Sequence, residues 1–346
     1  MQHNDNKRIH CPGGVFPALT AVLLFALNAC DGPPTTTLAP VVEADLPPPP
    51  AEIVDANAQW ETVVSGYVYS DSPAVNAAGE IYYSANTQNK IFQLDAADRV
   101  RMFDDNTALT MGLMFGPDGR LYGCRNSDAQ IVAYDITRGR REVILQGKLT
   151  PIPGRPNAPA EFCNDLVVNS EGKIWFTDRV NQGVVYIPAK GESRVVAQGF
   201  RPNGIALSPD EKILAVTDSN VPMLHAFEVA ADGSLTEIRD YFAPVRMIES
   251  LANDESTRGR PGTNGMTIDS DGRFYVTSFY GIQVFDRRGQ YVGVIEAPKG
   301  YTSNITFGGP ELNILYATGR KGVYRIPTKV RGAPYFLNAR SQTAAR

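Results

Sequence analysis

Apolar and polar residues alternate in short runs along most of this chain, and turn-forming residues, not helical stretches, separate the runs. Residues 164–198 show the grammar: NDLVV, the turn NSEGK, then IWFTD, GVVYIP and SRVVAQG. Period-two alternation bounded by Gly, Asn, Asp and Ser predicts four short strands. The turn after the first run recurs at Gly79, Gly119, Gly172, Glu211, Gly272 and Leu312, at intervals of 40, 53, 39, 61 and 40 residues. Self-similarity at this period marks a repeat architecture. Six units of four strands, with no convincing amphipathic helix, predict an all-β fold: a six-bladed β-propeller. WETVVSG at 60–66 matches the fourth run of a unit, whereas the last unit (NITFGG, ILYATG, VYRIP) lacks one. The N-terminal run is expected to complete that blade and close the ring, which removes exposed sheet edges. The propeller is placed at residues 57–328, with a C-terminal tail at 329–346.

Eight residues before each turn position stand Asp71, Met111, Asn164, Asn203, Asn264 and Asn304. The first strand of a propeller blade lines the central channel, so these positions are expected to converge near the axis at one mouth. Asn tolerates the left-handed backbone of turns, but only Asn203 and Asn264 precede glycine, so a turn role does not account for Asn164 or Asn304. One carboxylate and several amide carbonyls form an all-oxygen set of the kind hard divalent cations take. His3 and His10 lie in the N-terminal leader, and His225 lies in the alternating run MLHAFEV. A histidine-based zinc site and a Ser-His-Asp triad are therefore excluded. Two long inter-unit stretches, LQGKLTPIPGRPNAPAEFC before Asn164 and FAPVRMIESLANDESTRGRPGT before Asn264, should overhang the same mouth. Loops of that length are uncommon unless they serve a site, and Glu161 in the first could reach inward.

The chain has 346 residues, is 43% hydrophobic and carries a formal net charge of −4 with no basic run, so nucleic acid is not an expected partner. Lys7 and Arg8 precede an apolar run, Val15 to Ala29, that is short for a membrane span and reads as a secretory signal. It ends in Leu27-Asn28-Ala29-Cys30, which resembles a bacterial lipobox. The expected organisation is a signal peptide at 1–29 and a lipidated Cys30 opening a Pro/Thr-rich tether at 30–56. The expected location is the periplasmic side of the bacterial cell envelope, with a weak inner-membrane signal in Asp31, and the expected state is a monomer. Cys124 and Cys163 could pair in such an oxidising compartment. Two buried thiols fit equally well, and the reading inclines to free thiols because sequence does not give their separation.

Several stretches resemble the SMP-30/gluconolactonase/luciferin-regenerating-enzyme family: Asp71-Ser72-Pro73, NDLVV at 164–168, RPNGIALSPDEKILAVTDS at 201–219, GIQVFDRRGQYVGVIEAP at 281–298 and TFGGPELNILYATG at 306–319. The resemblance implies one divalent metal in the central channel. Calcium is the best match, with zinc, manganese and iron as alternatives. It further implies hydrolysis of a sugar lactone or related cyclic ester, with water attacking a metal-polarised carbonyl. Its metal ligands carry over to Asp71, Asn203 and Asn264. Asn164 carries over as a contact to substrate or bound water, and Asn304 and Glu161 complete the expected substrate-binding set. The catalytic positions become Asp71 and Asn264. Here the chain departs from the family: position 264 usually holds the Asp that serves as general base, and an amide cannot act as one. Asp71 replaces a Glu, and Phe162 stands where some members carry an Arg. Asp71 and Glu161 remain as substitute bases. Asp165 is a third candidate base: next to Asn164 on a strand it faces away, unless the strand start is irregular. The alternative reading is a non-catalytic small-molecule-binding propeller that has lost its base, and a third is an interaction scaffold.

Overall fold

The structure, a computed structural model, describes residues 41–43, 46–67, 69–151, 161–249, 255, 260–298 and 300–333. The signal peptide, Cys30, Asp31, residues 152–160 of the first overhanging loop and residues 334–346 of the tail lie outside the described residues. Six four-stranded antiparallel sheets form the blades of a six-bladed β-propeller. The inner strands are Asp71–Val75, Thr110–Phe115, Leu166–Val168, Pro202–Leu207, Met266–Ile268 and Thr302–Gly308, for blades one to six. Blade six is closed as expected: Glu61–Tyr67 pairs antiparallel with Lys321–Pro327 and forms its outer strand. Arg325 ties the closure by donating from Nε and Nη2 to Glu61 at 2.9 and 3.1 Å.

Burial falls from the inner strands to the outer ones. The second strands Ile81–Ala85, Ile174–Asp178 and Phe274–Ser278 are buried at every residue, whereas Val100–Asp104 and Arg194–Gln198 are largely exposed. Aromatic side chains of the second strands wedge between blades. Tyr82 packs edge-on against Phe115 and Tyr275 against Phe307, with ring centres 5.2 and 5.1 Å apart. Trp175 crosses to blade four, where its Nε1 donates to the Gly233 carbonyl at 3.1 Å. Full burial of each such ring contributes about 2–3 kcal/mol.

Three boundaries differ from the sequence reading. Packing begins upstream of residue 57, because Ile53 and Val54 are buried in the cluster between blades five and six. Val41–Glu43 pairs in parallel with Arg246–Ile248, so part of the expected tether lies against the second overhanging loop. At the other end, Gly332 bridges to Asp269 and Ala333 N donates to the Ile268 carbonyl, which carries residues 331–333 across the channel end opposite the asparagines. The expectation of free thiols is corrected: Cys124 and Cys163 form a disulfide with Cα atoms 5.5 Å apart. Cys124 lies on the second strand of blade two and Cys163 directly before the start of blade three, and the propeller brings these two neighbours together.

Candidate active site

The same device fixes the start of each inner strand. A hydroxyl near the end of each of five second strands accepts or donates at the backbone of a channel residue. Ser84 Oγ donates to the Asp71 carbonyl at 3.2 Å and Thr318 Oγ1 to that of Asn304 at 3.2 Å, within their own blades. Thr177 and Thr217 reach onward, donating to the carbonyls of Asn203 and Asn264 in the next blade at 2.6 and 2.9 Å. Glycines then let adjacent starts close up. A Cβ on Gly265 would overlap the Asn304 carboxamide, and one on Gly204 would overlap the Asn264 carbonyl. Neither glycine has positive φ, so the Asn-Gly pairs serve close approach and not a turn.

Two carboxylates sit in this ring. Asp71 and Asp165 are both buried, and Asn304 lies beside both. Asp71 Oδ1 accepts from Ser72 N at 2.7 Å, Asp165 Oδ1 from Leu166 N at 2.9 Å, and Asn304 Oδ1 from Ile305 N at 2.8 Å. Asp165 thus shares this local bond with Asp71 and Asn304, while in backbone pairing Asn164 is the counterpart of Asn264. Asn304 Nδ2 donates to Asp165 Oδ2 at 3.4 Å, a contact between opposite blades and therefore across the channel axis. Burial raises the Asp71 pKa, opposed by hydrogen bonds from Ser72, Tyr69, Ser303 and Asn304. Burial first, and the neighbouring Asp71 second, push Asp165 up to about 8. Two carboxylates in one desolvated site repel each other's charge, which a shared proton or a cation relieves.

In blades four and five stand two amides. Asn203 Nδ2 donates to Ser219 Oγ at 2.8 Å, and Asn264 Nδ2 to Tyr301 Oη at 2.5 Å. The Asn203 Oδ1 is buried and, among the described residues, has no hydrogen-bond partner. An unpaired buried carbonyl costs about 1–3 kcal/mol, so its retention points to a group that it would meet when the site is loaded. Tyr69 Oη donates to Asp71 Oδ2 at 3.1 Å, and burial holds the Tyr69 and Tyr301 hydroxyls above their ordinary range.

Residues 69–321 match the SMP-30/Gluconolactonase/LRE-like region. The chain belongs to this family. It is similar to a gluconolactonase of Zymomonas mobilis, 28% identical over 246 residues, which span 64% of this chain and 64% of that protein's length. Among solved structures it is similar to XC5397 from Xanthomonas campestris, titled a gluconolactonase, with 26% identity and a TM-score of 0.66 over 84% of this chain and 97% of that one. It also shares the fold of a calcium-binding regucalcin from Agrobacterium tumefaciens, with 17% identity and a TM-score of 0.64 over 81% of this chain and 97% of that one.

Position 264 holds an amide, and the buried carboxylates of the ring are Asp71 and Asp165. Asp165 follows the irregular-start alternative and does not face away. Asn164 N donates to the Thr177 carbonyl and Thr177 N to the Asp165 carbonyl, so both residues oppose Thr177 ahead of the regular ladder at Leu166, and this irregularity turns Asp165 to the axis. Asn164 instead donates from Nδ2 to Met111 Sδ at 3.6 Å, against blade two. Glu161 is not a free base, because Arg179 holds it through Nη2 at 2.6 Å and Nε at 3.1 Å. Phe162 does not shape the pocket. It packs on Phe176, with ring centres 5.3 Å apart, in the core between blades two and three. Tyr69, Tyr301, Ser219 and Arg179 are site residues that the spacing of asparagines does not mark. The hydroxyls of the recurring Thr177-Asp178, Thr217-Asp218 and Thr277-Ser278 pairs were the available signal, since each closes a second strand at the mouth.

Proposed function

We propose that this protein is a lactone hydrolase in which Asp165 is the general base and Asp71, Asn203 and Asn264 hold one divalent cation. The observation that carries this reading is the pair of buried carboxylates at the axis, in the same ring as an amide oxygen that has no partner among the described residues. The donor set is all oxygen, and among the described residues no group of three His, Cys, Asp or Glu gathers as a metal site. That set suits a hard cation such as calcium. The names of the gluconolactonase relatives and of the calcium-binding regucalcin support the same reading.

A cation bound there supplies Lewis acidity toward the lactone carbonyl and offsets the charge of the two carboxylates. The remaining chemistry belongs to the chain. Asp165 accepts a proton from water as the water oxygen bonds to the carbonyl carbon. Asn304 orients that carboxylate through Nδ2. When the ring C–O bond breaks, the leaving alkoxide takes the proton back from Asp165. The Tyr301 hydroxyl, whose oxygen already accepts from Asn264, retains its own proton to donate toward the mouth. Asp165 supplies the carboxylate missing at position 264, which favours hydrolysis over the binding-only reading.

The experiment is acid release in a pH-stat from aldono- and alkyl-lactones, with metal-stripped protein and with calcium restored. Turnover that disappears with a chelator and returns with calcium is expected. Calcium binding without turnover of any lactone would instead establish the binding-only propeller. The N-terminal reading adds that Cys30 carries a lipid holding the ring at a membrane on the periplasmic side. A Cys30→Ser chain should then leave the membrane fraction, and unchanged fractionation rejects the anchor.

A further inference from the structure

Beneath the polar ring the channel does not continue as a polar tunnel. A cavity of about 90 Å³ lies along the inner strands, with Asp165 and Asn304 at one end and Gly332 and Ala333 at the other. Between them its lining side chains are mainly apolar, and all six blades contribute: Val75, Phe115, Leu166, Ala206, Met266 and Ile305 are examples. Asp165 and Asn304 are therefore shared by the cavity and the carboxylate site. A small molecule whose reacting carbon is at Asp165 can place a substituent directly into this space. The entrance has matching chemistry. Phe279, on the mouth-side turn of blade five, is 39% exposed, and its ring centre lies 5.8 Å from that of Tyr301.

We propose that this cavity binds the hydrocarbon substituent of the substrate, so that the preferred substrates are lactones carrying a short alkyl chain, not polyhydroxylated sugar lactones. The inference rests on the hydrolase reading and deepens it. Sugar hydroxyls need hydrogen-bond partners when buried, and between the two ends of the cavity only Thr267 and Thr306 among its side chains carry a hydroxyl. A hydrocarbon chain needs no such partner. A cavity of about 150 Å³ accommodates benzene, so the space here takes about three or four carbons. Residues 331–333 close the far end, which sets a length limit.

The test is a chain-length series on the full-length, calcium-loaded protein: γ-butyrolactone, then its methyl, ethyl, propyl, butyl and hexyl homologues. Each methylene buried should raise kcat/KM about fourfold, up to three or four carbons, after which the rise stops. Ala206→Leu places extra carbons in the cavity and touches neither the carboxylates nor the amides. It should flatten the series while leaving γ-butyrolactone turnover unchanged. If γ-butyrolactone is hydrolysed and the series is flat in the parent, the cavity holds water and the inference is overturned. If no lactone is hydrolysed, the hydrolase reading has failed, and the cavity is judged separately by thermal shift with the matching 4-hydroxyalkanoates. A shift that grows with chain length in the parent but not in Ala206→Leu upholds the chain-binding cavity, and a length-independent shift overturns it.

Discussion

Two groups of blades meet at the channel mouth with related inner-strand starts, yet they end in different chemistry. In blades six, one and three, Asp71, Asp165 and Asn304 each fold an Oδ1 back onto the next backbone N–H. That bond leaves the second carboxylate oxygen, or the amide nitrogen, directed inward. In blades four and five it is the amide nitrogens that are anchored, by Ser219 and Tyr301, and among the described residues the Asn203 oxygen is left without a partner. One group therefore concentrates negative charge, and the other presents neutral carbonyl dipoles. The lesson is that equivalent strand starts can carry different charge without moving a blade. Blades three and five start alike, with Asn164-Asp165 opposing Thr177 and Asn264-Gly265 opposing Thr277, and only blade three brings a carboxylate.

The sharpest way to break this comparison is to move the charge. Asp165→Asn should lower kcat by about 10²–10⁴-fold, the usual contribution of a general base, with calcium still bound. Adding Asn264→Asp in the same chain places a carboxylate in blade five and should recover part of the loss. Acid release by the parent, the single variant and the double variant measures both. An Asp165→Asn variant that keeps full activity would remove Asp165 from the mechanism.

The charged blades also have a signature in pH. The folded-state pKa of Asp165 is raised to about 8 from 3.8. Between those values the folded state holds more protons than the unfolded one, so stability without metal falls as pH rises through the window. Asp165→Asn removes that loss, and its melting temperature should exceed the parent's by a margin that widens from pH 5 to pH 8. A cation favours the ionised carboxylate. Calcium binding near pH 7 should then release protons, and its affinity should climb until about pH 8. Calorimetry in buffers of different ionisation enthalpy counts the protons, and a count of zero contradicts the shift.

How much of this could be read in advance follows from which interactions are local. The period near 40 residues and the unpaired WETVVSG run carried the six blades and the closure, because strand alternation and turn residues are written in consecutive positions. Asp71, Asn203 and Asn264 were legible for the same reason: each lies eight residues before its turn. Asp165 was legible only conditionally, since its orientation depends on whether the start of blade three is irregular, and the contacts around that start come from outside the blade. Asn126 Nδ2 donates to the Cys163 carbonyl at 2.9 Å, its Oδ1 accepts from Phe162 N at 2.9 Å, and Cys163 is bonded to Cys124. These partners lie 36–39 residues away in sequence, and no alternation pattern reports them. Glu161 misled for the converse reason. Its carboxylate is marked by position in the loop, but Arg179, which occupies it, belongs to a different turn.

The smallest effect, and the one that most finely tests the neutral blades, concerns Ser219. Its Oγ accepts from Asn203 Nδ2 and donates to the Thr263 carbonyl at 2.7 Å, so it links the amide to the backbone that leads into Asn264. Removing it should not alter charge, the base or the fold. It should free the Asn203 amide to rotate, so that the oxygen no longer faces the axis at no cost. Partners that orient a metal ligand typically carry about 10–100-fold in affinity. With a neutral ligand the low end applies, and Ser219→Ala should weaken calcium binding about tenfold while leaving the stability of metal-free protein within about 1 kcal/mol of the parent's. Ser219→Thr, which keeps the hydroxyl, should restore the affinity. Titration calorimetry on the three proteins decides it: equal calcium affinity in all of them means that the orphaned Asn203 oxygen is not a ligand, and the cation must then be held by the two carboxylates and Asn264 alone.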